Sequence, residues 1–150
     1  NIMKNLDERI NGLIQLMEVP VWLIQANKHI NCTCMDPVSK HGDPFCENCL
    51  GLGHKITIRE ARAHLQPLFS TDSADNKLFL MRGYDIYLRN EFPVFPGDII
   101  VFKDKIINVT YVMDWYSNTM DCVYYEANGV DYKRNPEAFM KNFKALIGGV

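Results

Sequence analysis

Two close pairs of cysteines, Cys32-Thr33-Cys34 and Cys46-Glu47-Asn48-Cys49, constrain this chain more than any other feature. They account for all but Cys122 of its five cysteines, and residues 35–45 lie between the pairs. Four thiolates at the corners of a tetrahedron close the coordination shell of a structural Zn²⁺, and each short pair can offer two sulfurs from one tight turn. The intervening loop, with Pro37, Gly42 and Pro44, need only bring the pairs together. The layout is that of a treble-clef or ribbon-like knuckle. It predicts one structural zinc ion held by Cys32, Cys34, Cys46 and Cys49.

From Cys46 to Gly53 the chain reads C-x-x-C-x-G-x-G. A knuckle folds back on its own sulfur and needs backbone positions free to take positive φ, which Gly51 and Gly53 permit. The unit resembles a single zinc repeat of the bacterial J-domain heat-shock co-chaperones, which implies shared local metal geometry. Only one such unit is present, and no His-Pro-Asp hairpin precedes it. Two other chemistries compete with metal binding. Disulfides require an oxidising compartment, and no positively charged leader with an apolar core is visible. A redox C-x-x-C pair sits where a strand opens into a helix, whereas glycines follow Cys49. Cys122 lies in an alternating stretch and reads as a core thiol. His29, His41 and His54 lie near enough to replace a ligand, though four cysteines leave no vacancy.

Along the rest of the chain, Leu6, Ile10, Leu13, Ile14 and Met17 recur at helical spacing and predict an amphipathic helix over 5–18. Asn5 is its expected N-cap, Gly12 its weak point and Pro20 its stop. Residues 21–26 predict a short strand running into the knuckle. The stretch 55–65 alternates, but Ile56 and Ile58 share one parity while Ala61, Ala63 and Leu65 share the other. That slip predicts a bulge near Arg59 and Glu60. The polar stretch 67–76 predicts a loop open to partner contact, its core being residues 70–76. Tyr84, Ile86 and Leu88 place a strand over 77–88, and Pro93 and Pro96 mark a turn-rich passage before Asp98. Segments 99–102 and 106–113 form a hairpin through Lys103-Asp104-Lys105, a three-residue loop. Residues 115–119 make the next loop, and 120–125 alternate as a further strand. Asn135-Pro136 opens a C-terminal helix as cap and first residue, Phe139, Phe143 and Ile147 follow at fourfold steps, and Gly148-Gly149 ends it.

Strand after strand with short turns predicts a mainly β, α+β fold. The expected architecture is a small antiparallel β-barrel or sandwich with a zinc knuckle and flanking N- and C-terminal helices. Its parts are an N-terminal helix and first strand over 1–26, the knuckle insertion over 27–54, and the barrel with its C-terminal helix over 55–150, one compact domain overall. A length of 150 residues with 47% hydrophobic content suffices for such a core. The last helix can close the open end of the barrel or reach onto a neighbouring subunit.

A formal charge of −2 and a sequence pI near 6.1 give no global attraction to phosphate. The longest apolar runs, such as 19–24, are far shorter than a membrane span requires. No nucleophile elbow, phosphate-binding glycine loop or His-Glu-x-x-His pattern occurs. Asp114, Asp121 and Glu126 sit near aromatic residues and are expected to be solvated. Lys103, Lys105, Lys133 and Arg134 are expected on a mixed surface. A catalytic zinc needs an open position, which four cysteines do not leave. The expectation is a protein that is not an enzyme.

The β-rich half carries a resemblance. Gly97-Asp98-Ile99-Ile100-Val101, then Lys105-Ile106-Ile107-Asn108-Val109, then 120–127 are similar to the head-closure, or stopper, proteins of tailed bacteriophages. There a G-D-x-I strand, a hairpin, a Y-x-V strand and a closing strand build a small β-barrel. The Cys-x-Cys … Asp-Pro-x-Cys-x-x-Cys-x-Gly-x-Gly segment likewise resembles a cysteine-rich insertion of some phage structural proteins. The long N-terminal helix and the knuckle are departures from a minimal stopper. The resemblance implies a virion structural protein of the head-to-tail neck, assembled as a hexameric or dodecameric ring of identical subunits. Its neighbours would be portal, adaptor or tail-terminator proteins, with no membrane contact and nucleic acid met only incidentally in a channel. The alternative is a zinc-dependent nucleic-acid-binding accessory or regulatory module, which would need a basic face and a steep salt dependence. A third class, a chaperone-like zinc domain for unfolded chains, would carry repeated C-x-x-C-x-G-x-G units.

Overall fold

Six antiparallel strands close on themselves in the order β1-β2-β3-β6-β5-β4, so that every strand has a neighbour on both sides over part of its length. The computed structural model describes residues 2–71 and 79–148. In chain order the elements are α1 (Ile2–Met17), β1 (Val19–Asn31), β2 (His54–Thr71), β3 (Phe79–Arg89), β4 (Ile99–Phe102), β5 (Lys105–Tyr116), β6 (Cys122–Asp131) and α2 (Pro136–Leu146). The fold is the mainly β barrel with flanking helices that the patterning predicts.

Alternate residues of a strand point to opposite faces, and here that rule builds two cores. Val21, Leu23, Ala61, Ala63, Ile86, Leu88, Ile100, Ile107, Val109 and Ala127 fill the barrel with side chains from all of its strands. Their sequence neighbours Ile24, Ile99, Val101 and Ile106 point outward and form a second layer with Leu50 of the knuckle and Phe139 and Phe143 of α2. Phe139 and Phe143 are both buried, and the Trp22 ring meets Phe143 edge-on with centroids 6.0 Å apart. Burying each large side chain contributes about 1.5–3 kcal/mol. The C-terminal helix is therefore fastened to the outer wall over β1, β4 and β5 instead of closing an open end. On another part of the wall, α1 packs over β2, β3 and β6, with Ile14 buried and Leu13 and Met17 left exposed.

This double core explains the parity slip in β2. The register from Val19↔Ala63 to Asn27↔Lys55 is unbroken, and the expected bulge at Arg59 and Glu60 is absent. Ala61, Ala63 and Leu65 serve the inner core while Ile56 and Ile58 serve the outer one, so a straight strand satisfies both parities. The register shift of this pair lies instead between Asn27 and Asn31, at the mouth of the knuckle. Pro20 lies within β1, paired with Arg62. On β1, β4 pairs with Trp22, Leu23 and Ile24 alone, so the proline interrupts no ladder on that side.

Other boundaries move for local reasons. Residues 67–71 belong to β2, paired as far as Thr71↔Phe79, and not to a loop; the remainder of the expected 70–76 loop lies outside the described residues. Asn5 falls inside α1 and not at its start. The β4–β5 turn has two residues, since Phe102 pairs with Lys105 and Lys103 takes φ 54°. Trp115 and Tyr116 belong to β5, leaving 117–121 as the turn before β6. Asn135 precedes α2 with no side-chain cap bond, and Pro136 sits at the first turn as expected.

Candidate metal centre

The knuckle is the end loop of the β1–β2 hairpin. The pairing Asn31↔His54 closes its base, and the Cys32 N–H donates to the Gly53 carbonyl at 2.9 Å. Inside, three short turns set the cysteines: Met35 N–H to Cys32 O at 3.0 Å, Cys46 N–H to Asp43 O at 3.0 Å, and Leu52 N–H to Cys49 O at 3.0 Å. Leu50, Gly51 and Gly53 take φ of 55°, 83° and 80°, the backbone reversal that the C-x-G-x-G pattern predicts. Gly42 is required for a different reason. A Cβ there would lie 2.6 Å from the Gly53 Cα, because the two backbone segments touch.

All four predicted cysteines converge. Their Sγ atoms lie within 4.8 Å of one another, with Cys32 and Cys46 3.7 Å apart and Cys34 and Cys49 3.4 Å apart. Zn–S bonds of about 2.3 Å in a tetrahedron put sulfurs roughly 3.8 Å apart, so the cluster fits a single cation. The thiols are free, at separations well beyond the ~2.05 Å of a disulfide. Each close contact joins one pair to the other, which interleaves the sulfurs around a common centre. Among the described residues this is the one group of three or more His, Cys, Asp and Glu side chains able to hold a metal ion. His29, His41 and His54 do not join it, and Cys122 stands apart, its Sγ 3.7 Å from the Tyr124 carbonyl.

Electrostatics favour a cation at the centre. Burial pushes the Cys49 thiol up to about 12, aided by Cys34 and Cys46 and opposed by the Gly53 N–H, which reaches its sulfur at 3.3 Å. Burial also raises Cys34. Burial acts upward on Cys46 as well, but the Cys49 and Asn48 backbone N–H groups together with the Cys34 and Cys49 thiols outweigh it and bring that thiol down to about 7. Four thiolates this close repel one another, and a bound dication removes the conflict.

The knuckle is tied to the body of the protein at three points. Leu50 is buried in the outer core. Arg134, which follows β6, donates from Nη1 to the Gly51 carbonyl at 3.0 Å and from Nη2 to the Gly42 carbonyl at 2.8 Å. Asn142 of α2 donates to the Phe45 carbonyl at 3.2 Å. Sequence reasoning placed Arg134 among surface cations and gave Asn142 no role, since neither contact has a local signature.

The carboxylates singled out by sequence serve as local acceptors. Asp114 accepts from the Tyr116 hydroxyl at 2.9 Å, Asp121 from Thr119 at 2.9 Å, and Glu126 from Trp115 Nε1 at 3.0 Å. Asp98 of the G-D-x-I motif is buried, and its Oδ2 accepts from Gln25 Nε2 and from the Phe95 N–H, both at 2.8 Å. No protein-family model matches the chain, and no curated protein does.

Proposed function

We propose that this chain is a structural, non-enzymatic subunit of the head-to-tail neck of a tailed bacteriophage, assembled in the virion as a ring of identical copies. Cys32, Cys34, Cys46 and Cys49 hold one structural Zn²⁺, which supplies a closed coordination shell in place of additional apolar core. Arg134 and Leu50 position those ligands against the barrel.

One observation carries the proposal. The segment opened by Gly97-Asp98 forms β4, its hairpin partner β5 and the strand β6 are consecutive in the wall of a closed antiparallel barrel, and that barrel is filled by its own side chains. This is the arrangement that the likeness to head-closure proteins implies. Mass photometry and negative-stain imaging of the purified protein test it together with elemental analysis. Rings carrying about one zinc per subunit are expected. A monomer that binds nucleic acid with steep salt dependence would overturn the proposal in favour of a zinc-dependent nucleic-acid-binding module.

A further inference from the structure

The sulfur cluster is not sealed from solvent. Cys49 is 1% exposed, but Cys32, Cys34 and Cys46 are only half-buried. Oxidation of a cysteine follows its thiolate character and its access to the oxidant, and a metal-ligating cysteine is a thiolate. Three of the four ligands are therefore open to a small oxidant.

Contacts across the cluster select which sulfurs would join. Four cysteines allow three pairings. Cys34 Sγ lies 3.4 Å from Cys49 Sγ, and Cys32 Sγ lies 3.7 Å from Cys46 Sγ. Each contact runs from one turn of the knuckle to the other, and each includes at least one half-buried cysteine. Reaching the ~2.05 Å of a disulfide asks each pair to close by less than about 2 Å. Both halves of the knuckle are meanwhile tied down by groups other than sulfur. Arg134 holds the Gly42 and Gly51 carbonyls, and Leu50 is buried in the outer core.

We propose that the knuckle is a reversible oxidation site for hydroperoxides, at which Cys34 joins Cys49, Cys32 joins Cys46 and the bound Zn²⁺ is released. This rests on the zinc site proposed above and is independent of the ring. In each pair an accessible thiolate attacks a peroxide oxygen. The O–O bond breaks, the sulfur becomes a sulfenic acid, and the departing hydroxide takes a proton from solvent to leave as water. The facing thiolate then attacks that sulfur, the S–O bond breaks, and a second hydroxide leaves as water with a second proton. Buried Cys49 plays this second part for Cys34. Each pair gives two electrons to one hydrogen peroxide, so two peroxides turn four thiolates into two disulfides. Disulfide sulfurs carry no charge and no longer hold the cation. The crosslinks span 14 and 15 positions and take over its task of tying the two turns together. A dithiol reductant returns the electrons and restores the ligands.

The test exposes the reduced, zinc-loaded full chain to hydrogen peroxide, alongside Cys122→Ser, which removes the one thiol outside the cluster. Zinc content is expected to fall from about one per chain to near zero as the four thiols disappear, and to recover with dithiothreitol and added zinc. Cleavage after Lys40 separates the two turns unless a crosslink joins them. Further cleavage after Glu47, with fragmentation at Thr33 in the mass spectrometer, distinguishes the two pairings that cross between turns. The expected links are Cys34 to Cys49 and Cys32 to Cys46. Amide protection of α2 should persist in the oxidised protein, since Leu50 stays in place. Links confined within one turn, the opposite crossed pairing, irreversible sulfinic acids or zinc retained throughout would each overturn the oxidation and leave the zinc site standing. A reduced protein that carries no zinc would overturn the site itself.

Discussion

The Arg134 guanidinium donates to the Gly42 carbonyl at 2.8 Å across 92 positions of sequence. Its other terminal nitrogen donates to Gly51 at 3.0 Å, so one side chain spans both halves of the knuckle. Arg134→Ala leaves two carbonyls without their donor, and denaturant titration of the metal-loaded protein is expected to show a loss of about 1–3 kcal/mol. Arg134→Lys should recover only part of it, since an ammonium lacks the fork that reaches two acceptors at once. Full recovery by lysine would show that the charge alone matters.

Cys46→Ser removes one corner of the sulfur cluster. Elemental analysis is expected to fall from about one metal ion per chain to near zero, and the knuckle to lose its fixed structure. Because Leu50 shares the outer core with Phe139 and Phe143, α2 should lose amide protection as well. The barrel strands around Ile86 and Leu88 should keep theirs. Metal content unchanged from wild type would rule out the site.

Gly42→Ala places a methyl group 2.6 Å from the Gly53 backbone. The two segments must separate, which displaces the turn that aims Cys49. Competition against a chromophoric chelator is expected to show metal affinity weakened by about 10–100-fold, the usual scale for disturbing groups that orient ligands. An affinity equal to wild type would mean that the two segments do not pack against each other in solution.

Asp98 sits in the turn before β4, where burial raises its carboxyl above the ordinary range despite the hydrogen bonds from Gln25 and the Phe95 N–H. A raised folded-state value means that the group's contribution to stability is fully present below the unfolded value of about 3.9. It is lost as pH rises through the folded value. Both donors reach Oδ2, and an asparagine carbonyl can accept both. Asp98→Asn is therefore expected to be at least as stable as wild type near neutral pH and to flatten the decline above about pH 4. Urea midpoints across that range measure it, and a variant less stable at neutral pH would count against this account.

The sulfur cluster was legible because metal coordination demands ligand types at short spacings, and the glycines after Cys49 betrayed the reversal it needs. The barrel was legible from short apolar segments divided by Pro93, Pro96 and Lys103-Asp104. The shift of parity between Ile58 and Ala61 was misread, since period-2 reasoning assumes one buried face and β2 has two that are buried at different heights. Residues 67–71 look like a loop because Pro67 and the polar run from Ser70 onward read as the end of a strand, although Leu68 and Phe69 are strand-forming residue types and the backbone pairs on to Thr71. Arg134 was missed because its partners are main-chain carbonyls far away in the sequence, a contact that leaves no trace in residue type.

The short strand β4 buries Ile99, Ile100 and Val101 in unbroken succession. A sideways slide by one position would exchange one greasy side chain for another on both faces, so hydrophobicity alone barely penalises misalignment there. Alignment must come from the ends. At one end the Val109 N–H holds the Asp98 carbonyl at 2.9 Å, and at the other the tight turn joins Phe102 to Lys105. Lengthening that turn would free the strand to misthread while leaving its composition untouched.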